Sequence, residues 1–115
     1  MAMVAQRGEL KDIFGWFEDE VTGAVVIPGV VVLHQSTPAG VLSTPAFLTE
    51  VAPTAISTAA GLRNQHTGVP LVGTYYRYRV DLNAVGTWKF KWKPTGTGQA
   101  ATPDIDIVVE PTVFP

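Results

Sequence analysis

The sequence predicts an all-β fold, a single antiparallel β-sandwich of six to eight short strands spanning residues 1–115 with short terminal arms, and three observations carry that expectation. Nine prolines and eleven glycines are spread along the chain and cut it into short runs rich in Val, Thr and aromatic residues, the pattern of strands joined by turns. Three segments of the C-terminal half alternate apolar and polar residues with a period of two, as strands with one wet face do. No internal repeat, linker or second domain interrupts the pattern, and 115 residues suffice for one core.

Taken in order, Met1–Arg7 shows no clear patterning, and Leu10–Glu18 is irregular but holds Phe14, Trp16 and Phe17. Asp19-Glu20-Val21-Thr22-Gly23 turns the chain into Ala24–Ile27. After Pro28-Gly29, the apolar run Val30–Gln35 suits a central strand packed on both faces, and Ser36–Gly40 turns it round. From Val41 to Gly73 the patterning is weak: Phe47–Val51 reads as a strand, Ala55–Leu62 as a strand or a short helical turn, and Asn64–Gly68 as a turn. In Thr74–Leu82, Tyr76, Tyr78, Val80 and Leu82 face one way; Tyr75, Arg77, Arg79 and Asp81 face the other. Asn83–Gly86 turns the chain, and Thr87–Lys93 sets Trp88, Phe90 and Trp92 against Lys89, Lys91 and Lys93. Asp104–Glu110 then turns Ile105, Ile107 and Val109 inward. Trp88, Phe90, Trp92, Tyr76, Tyr78, Val80, Ile105 and Ile107 are the expected core. The lysines are expected to pair across strands with Asp104, Asp106 and Glu110, and Arg77 and Arg79 to flank Asp81 or reach the same acids.

Composition narrows the function classes. A charged fraction of 16% leaves an unusually apolar surface, a first hint of a partner. The net charge of −2 gives no global attraction to nucleic acid or anionic membrane. The absence of cysteine removes thiol nucleophiles, zinc thiolates and disulfides. No apolar run of secretory length precedes Glu9, Lys11 and Asp12, and no stretch reaches membrane-span length, so synthesis in a cytoplasm is expected.

The candidate chemical groups are few. His34 sits where the Val-rich strand meets a turn, and His66 lies within a turn. Neither has an acid at metal-ligand spacing, and two histidines without cysteine make a poor zinc set. Glu18-Asp19-Glu20 lacks the alternating oxygens of a calcium loop and reads as a solvated loop. Ser36, Ser43 and Ser57 stand outside any nucleophile-elbow motif, and Gly96-Thr97-Gly98 is too short to cradle phosphate. Strict alternation puts the lysines and the aromatics of Trp88–Lys93 on opposite faces, which argues against stacking on single-stranded nucleic acid. The expectation is a non-enzyme with no metal, cofactor, nucleic-acid or membrane site.

Two stretches carry a resemblance. Gly73-Thr74-Tyr75-Tyr76-Arg77-Tyr78 runs to Val80-Asp81-Leu82, then Gly86-Thr87-Trp88-Lys89-Phe90-Lys91-Trp92, a Thr95-Gly96 turn and the closing Ile105-Asp106-Ile107-Val108-Val109. This resembles the C-terminal half of small immunoglobulin-like β-sandwich proteins encoded in the structural gene clusters of tailed bacteriophages. The Asp19–Gly23 turn and Val30–Leu33 fall where that family has its first hairpin. The likeness covers residues 10–35 and 73–114 and lapses over Val41–Val72. It implies a virion component, present in several copies on the capsid, the head–tail connector or the tail, with no catalytic residues to carry over. Docking is expected through Met1–Arg7, Val41–Val72 and Pro111–Pro115, with Phe47, Leu48, Ile56, Leu62 and Phe114 as interface residues. Part of the weakly patterned Val41–Val72 span should be buried against another subunit; the alternative is an extra hairpin packed on the chain's own core. A glycan- or host-surface-binding module is the other function class, and it would present Tyr75 and Phe47 as exposed neighbours.

Overall fold

The computed structural model describes residues 3–52, 61–95 and 99–111, the first three of the last segment by backbone alone. Among the described residues eleven strands follow in chain order: β1 (Met3–Gln6), β2 (Leu10–Gly15), β3 (Phe17–Asp19), β4 (Val25–Val26), β5 (Val31–Ser36), β6 (Leu42–Ser43), β7 (Leu48–Ala52), β8 (Gly73–Asp81), β9 (Gly86–Pro94), β10 (Gln99–Ala101) and β11 (Ile105–Glu110). They build a five-stranded sheet in the order β1-β11-β9-β5-β6, a three-stranded sheet β2-β8-β7, and a small sheet β10-β3-β4. All pairings are antiparallel except that of β1 with β11, which is parallel. The fold is therefore all-β and β-sandwich-like, with more and shorter strands than expected.

The two larger sheets face each other because alternation along their strands sends the apolar residues to one side. From β9, Trp88, Phe90 and Trp92 are buried; from β8, Tyr76 and Val80 meet them, with Leu82 just beyond the strand. Leu33 of β5, Ile13 of β2, Phe17 of β3, Ala5 of β1 and Ile107 and Val109 of β11 complete this core. The aromatic rings contact one another across the gap: Tyr76 and Trp92 centroids lie 6.0 Å apart, and Tyr78 and Phe90 6.4 Å. Full burial of each such side chain contributes about 1.5–3 kcal/mol. The Trp92 indole lies so close to Gly15 that a Cβ there would fall inside its ring contacts, so β2 can approach β9 only with glycine at this position. Trp88 Nε1 donates to the Ala84 carbonyl at 3.0 Å, tying the β8–β9 turn to the core residue that follows it.

A second, smaller core lies on the opposite face of β2-β8-β7. Trp16, Ala52, Leu71 and Tyr75 are buried there, with Phe14, Val25 and Leu62 packed against them. Residues 61–72 thus roof this outer face. The roof corrects one expectation: Tyr75 points away from the main core, as the alternation predicts, but is only 3% exposed because Leu62 and Leu71 cover its side of the sheet.

Two further expectations change. Met3–Gln6 is not a free arm; it pairs with β11 and buries Ala5. Val31–Ser36 lies between β9 and the two-residue β6, and it is packed on one face only: Leu33 is buried while His34 is exposed.

Candidate interaction surfaces

The outer face of β2-β8-β7 carries an ion ladder. Cross-strand register sets Asp12 opposite Arg79, and Glu50 opposite Tyr75. Arg79 Nε donates to Asp12 Oδ1 at 3.0 Å; Arg77 Nε donates to Glu50 Oε1 at 2.9 Å and its Nη2 lies 2.7 Å from the same oxygen. Arg77 also reaches Asp12 at 3.7 Å. The Arg79 hydrogen bond and both arginine charges hold the Asp12 carboxyl below its ordinary range. Tyr75 donates its hydroxyl to Glu50 Oε2 at 2.7 Å, and burial, followed by this bond, pushes its phenol up. The arginines therefore use Asp12 and Glu50, not Asp81 or the acids near the C-terminus.

The outer face of the five-stranded sheet is built differently. Lys89, Lys91 and Lys93 project from β9, opposite Ser36, His34 and Val32 of β5. On the other side Lys89 is opposite Asp106, while Glu110 falls beyond the β9–β11 ladder, which ends at Val109 and Gly86. Among the described residues no carboxylate oxygen lies within 4.0 Å of any of the three lysines. The expected lysine–acid ladder is thus not formed. One cause is register: antiparallel pairing slides Glu110 past the lysines. The other is exposure, since solvated ends hold long side chains only weakly. Instead, His34, Ser36, Lys89, Lys91, Asp104 and Asp106 border a shallow depression.

At one end of the molecule two turns interlock over a buried acid. Glu18 is 3% exposed, and its carboxylate accepts from Trp16 Nε1 (2.7 Å), from Gln65 N (2.7 Å) and from His66 N (3.1 Å). Asn64 Oδ1 accepts from His66 N and Thr67 N, while its Nδ2 donates to the Gly23 carbonyl at 2.7 Å. Asp19 closes its own turn by accepting from Val21 N and Thr22 N, and these two bonds hold its carboxyl low. The Glu18–Glu20 run is therefore no solvated loop: two of its three acids organise backbone. The sequence signal was there in part, since Glu18 stands amid aromatics and Asn64-x-x-Thr67 is a turn motif, but nothing local joins residues so far apart.

The remaining site candidates divide. Phe47 is half-buried and plugs the main core edge-on, 5.1 Å from Trp92 and 5.5 Å from Tyr76. Leu62 belongs to the roof, and Leu48 is 58% exposed, opposite Arg77. Ile56 and Phe114 lie outside the described residues, as does Gly96-Thr97-Gly98. Phe47 and Leu48 border one surface depression together with Arg77 and Arg79, whereas Leu62 lies apart from them in the roof. Of the Val41–Val72 span, Phe47, Ala52, Leu62 and Leu71 pack on the chain's own cores. Tyr75 and Phe47 are not exposed neighbours. His34 and His66 are both exposed, and among the described residues no cluster of three or more His, Cys, Asp or Glu is placed to hold a metal ion. No protein-family model, curated protein or solved structure matches this chain.

Proposed function

We propose that this chain is a non-enzymatic, immunoglobulin-like accessory domain of a tailed-bacteriophage virion, docking in several copies on the capsid, the connector or the tail. The strand order supports the immunoglobulin-like part of this reading, while the virion role rests on the resemblance noted in the sequence. A sheet β1-β11-β9-β5-β6 whose first and last strands run parallel, facing a sheet β2-β8-β7, corresponds to the immunoglobulin arrangement in which the first strand joins the sheet of the last. In that correspondence β5, β9 and β11 stand for the C, F and G strands, and β2, β8 and β7 for B, E and D. The resemblance noted in the sequence falls on this frame: Gly73 and Gly86 open β8 and β9 at φ values of 122° and 125°, each followed two residues later by a buried aromatic, Tyr75 or Trp88.

The test is biochemical. Particles assembled in cells producing an epitope-tagged form of the chain are banded by density and probed for the tag. The reading expects a fixed number of copies per particle that survives rebanding. A chain found entirely in the unsedimented fraction contradicts it.

A further inference from the structure

We propose that the outer face of the five-stranded sheet is a weak self-association surface, on which a second copy of this chain docks with its β9 over β11 of the first. The inference does not depend on which assembly the chain serves.

The face is striped by charge. Alternation sends Lys89, Lys91 and Lys93 outward from β9, and all three are exposed. On the neighbouring β11, Ile107 and Val109 are buried, so Asp106, Val108 and Glu110 take the outward side. Asp104, just before that strand, borders the same depression as Lys89 and Lys91. A basic row thus runs beside an acidic one, at the strand spacing of about 4.8 Å. Among the described residues, none of these lysines and acids has an opposite charge within 4.0 Å.

The two signs decide the occupant. A polyanion laid along the lysines would lie one strand away from Asp106 and Glu110, and a polycation on the acids would meet the lysines in the same way. A partner carrying both stripes in reversed order satisfies both, and the chain itself is such a partner. A two-fold axis in the interface, nearly parallel to the strands and midway between β9 and β11, sets β9 of each copy over β11 of the other. Residues that stand side by side within one chain then meet face to face between two: Lys89 over Asp106, and Thr87 over the half-buried Val108. The symmetry makes every contact twice. Closing the faces also removes water from between the charges, which strengthens an attraction that solvent weakens in the single chain. An axis across the strands would stack lysine on lysine. The overlap takes in β1, β11, β9 and β5. At about 4.8 Å per strand and about six residues of length it covers roughly 400 Å² per chain. Stable interfaces take about 800 Å² per partner, so this dimer is weak and comes apart at micromolar concentration.

Sedimentation equilibrium of the full chain, from micromolar to millimolar concentration, reads the association. A monomer–dimer equilibrium is expected, with a dissociation constant at least tenfold higher in about 1 M salt than in about 0.01 M salt, where charges are felt over about 3 Å and about 30 Å. Lys89→Glu and Asp106→Lys, each keeping the parent's unfolding midpoint, should each weaken the dimer at least tenfold. Lys91→Glu should weaken it likewise. An equimolar mixture of Lys89→Glu and Asp106→Lys chains should dimerise as tightly as the parent, because the reversed charges face each other across the axis. A chain still monomeric at millimolar concentration in low salt would overturn the proposal. So would a dimer indifferent to salt or to all three reversals, or a mixture no tighter than its separate components. Binding of poly-L-glutamate by a chain that stays monomeric would make a polyanion the occupant, which also overturns it.

Discussion

The two outer faces of this small protein carry cations in similar numbers and use them in opposite ways. On β2-β8-β7, Arg77 and Arg79 are paired with Asp12 and Glu50, and residues 61–72 cover the neighbouring aromatic surface with a second core. On the five-stranded sheet, Lys89, Lys91 and Lys93 stand exposed, with no carboxylate within 4.0 Å among the described residues. The chemistry of the side chains fits the division. Arginine's planar fork holds two acids at once in a fixed geometry, whereas lysine is a solvated point charge on a flexible stem. The comparison teaches that period-two alternation marks which residues face outward. It does not mark which outward face is finished by the chain itself.

The largest effect should come from opening the roof. Trp16→Ala removes a side chain buried between Tyr75, Leu71 and the Glu18 carboxylate, and is expected to cost about 3–5 kcal/mol in denaturant unfolding. A midpoint unchanged from the parent would show that the roof contributes nothing and would erase the difference between the faces. A smaller loss is expected from Glu18→Ala, which strands the Gln65 amide and the Trp16 indole N–H and leaves the His66 amide only its bond to Asn64 Oδ1; about 1–3 kcal/mol should disappear. Amide exchange at residues 64–67 should accelerate in this variant before the strands do.

The arginine ladder can be tested by pH. Asp12 and Asp19 titrate below the ordinary carboxylate value of 3.8 in the folded chain. Groups whose folded pKa is depressed contribute stability that is present above the unfolded pKa and is lost as pH falls through the folded one. Stability should thus be level near neutrality and fall below pH about 4, by the same linkage. Asp12→Asn should lower the plateau modestly and flatten that acid limb. An Asp12→Asn variant with the parent's acid limb would show that the ladder is as slack as the lysine row.

Much of this architecture was legible in the sequence, and unevenly. β8, β9 and β11 were placed within a residue or two because each alternates over six or more positions and is bounded by Gly, Pro or a turn. Their inward faces follow directly, and so do Trp88, Phe90, Trp92 and Ile107 in the core. β3, β4, β6 and β10 have two or three residues each, too few for any period to register. β1 is held by its partner β11 and not by a pattern of its own. The features that matter most to the surfaces are set by contacts across the chain. Tyr75 looked like a wet-face residue because Leu62 and Leu71 are invisible to alternation along β8. Glu18 looked solvated because the amides it binds are 47 and 48 residues away. The lysine–acid pairing failed at register only for Glu110, which lies beyond the ladder; Lys89 stands opposite Asp106 and still makes no ion pair, because both ends are solvated.

The central claim is that the chain's stability is carried by its cores and its roofed face, leaving the lysine row free for other uses. The most direct measurement is the unfolding free energy of the triple variant Lys89→Gln/Lys91→Gln/Lys93→Gln beside that of Trp16→Ala. Exposed side chains without ion pairs should contribute little, so the triple variant is predicted to lie within about 1 kcal/mol of the parent. A loss approaching that of Trp16→Ala would show the lysine row to be structural and would contradict the account.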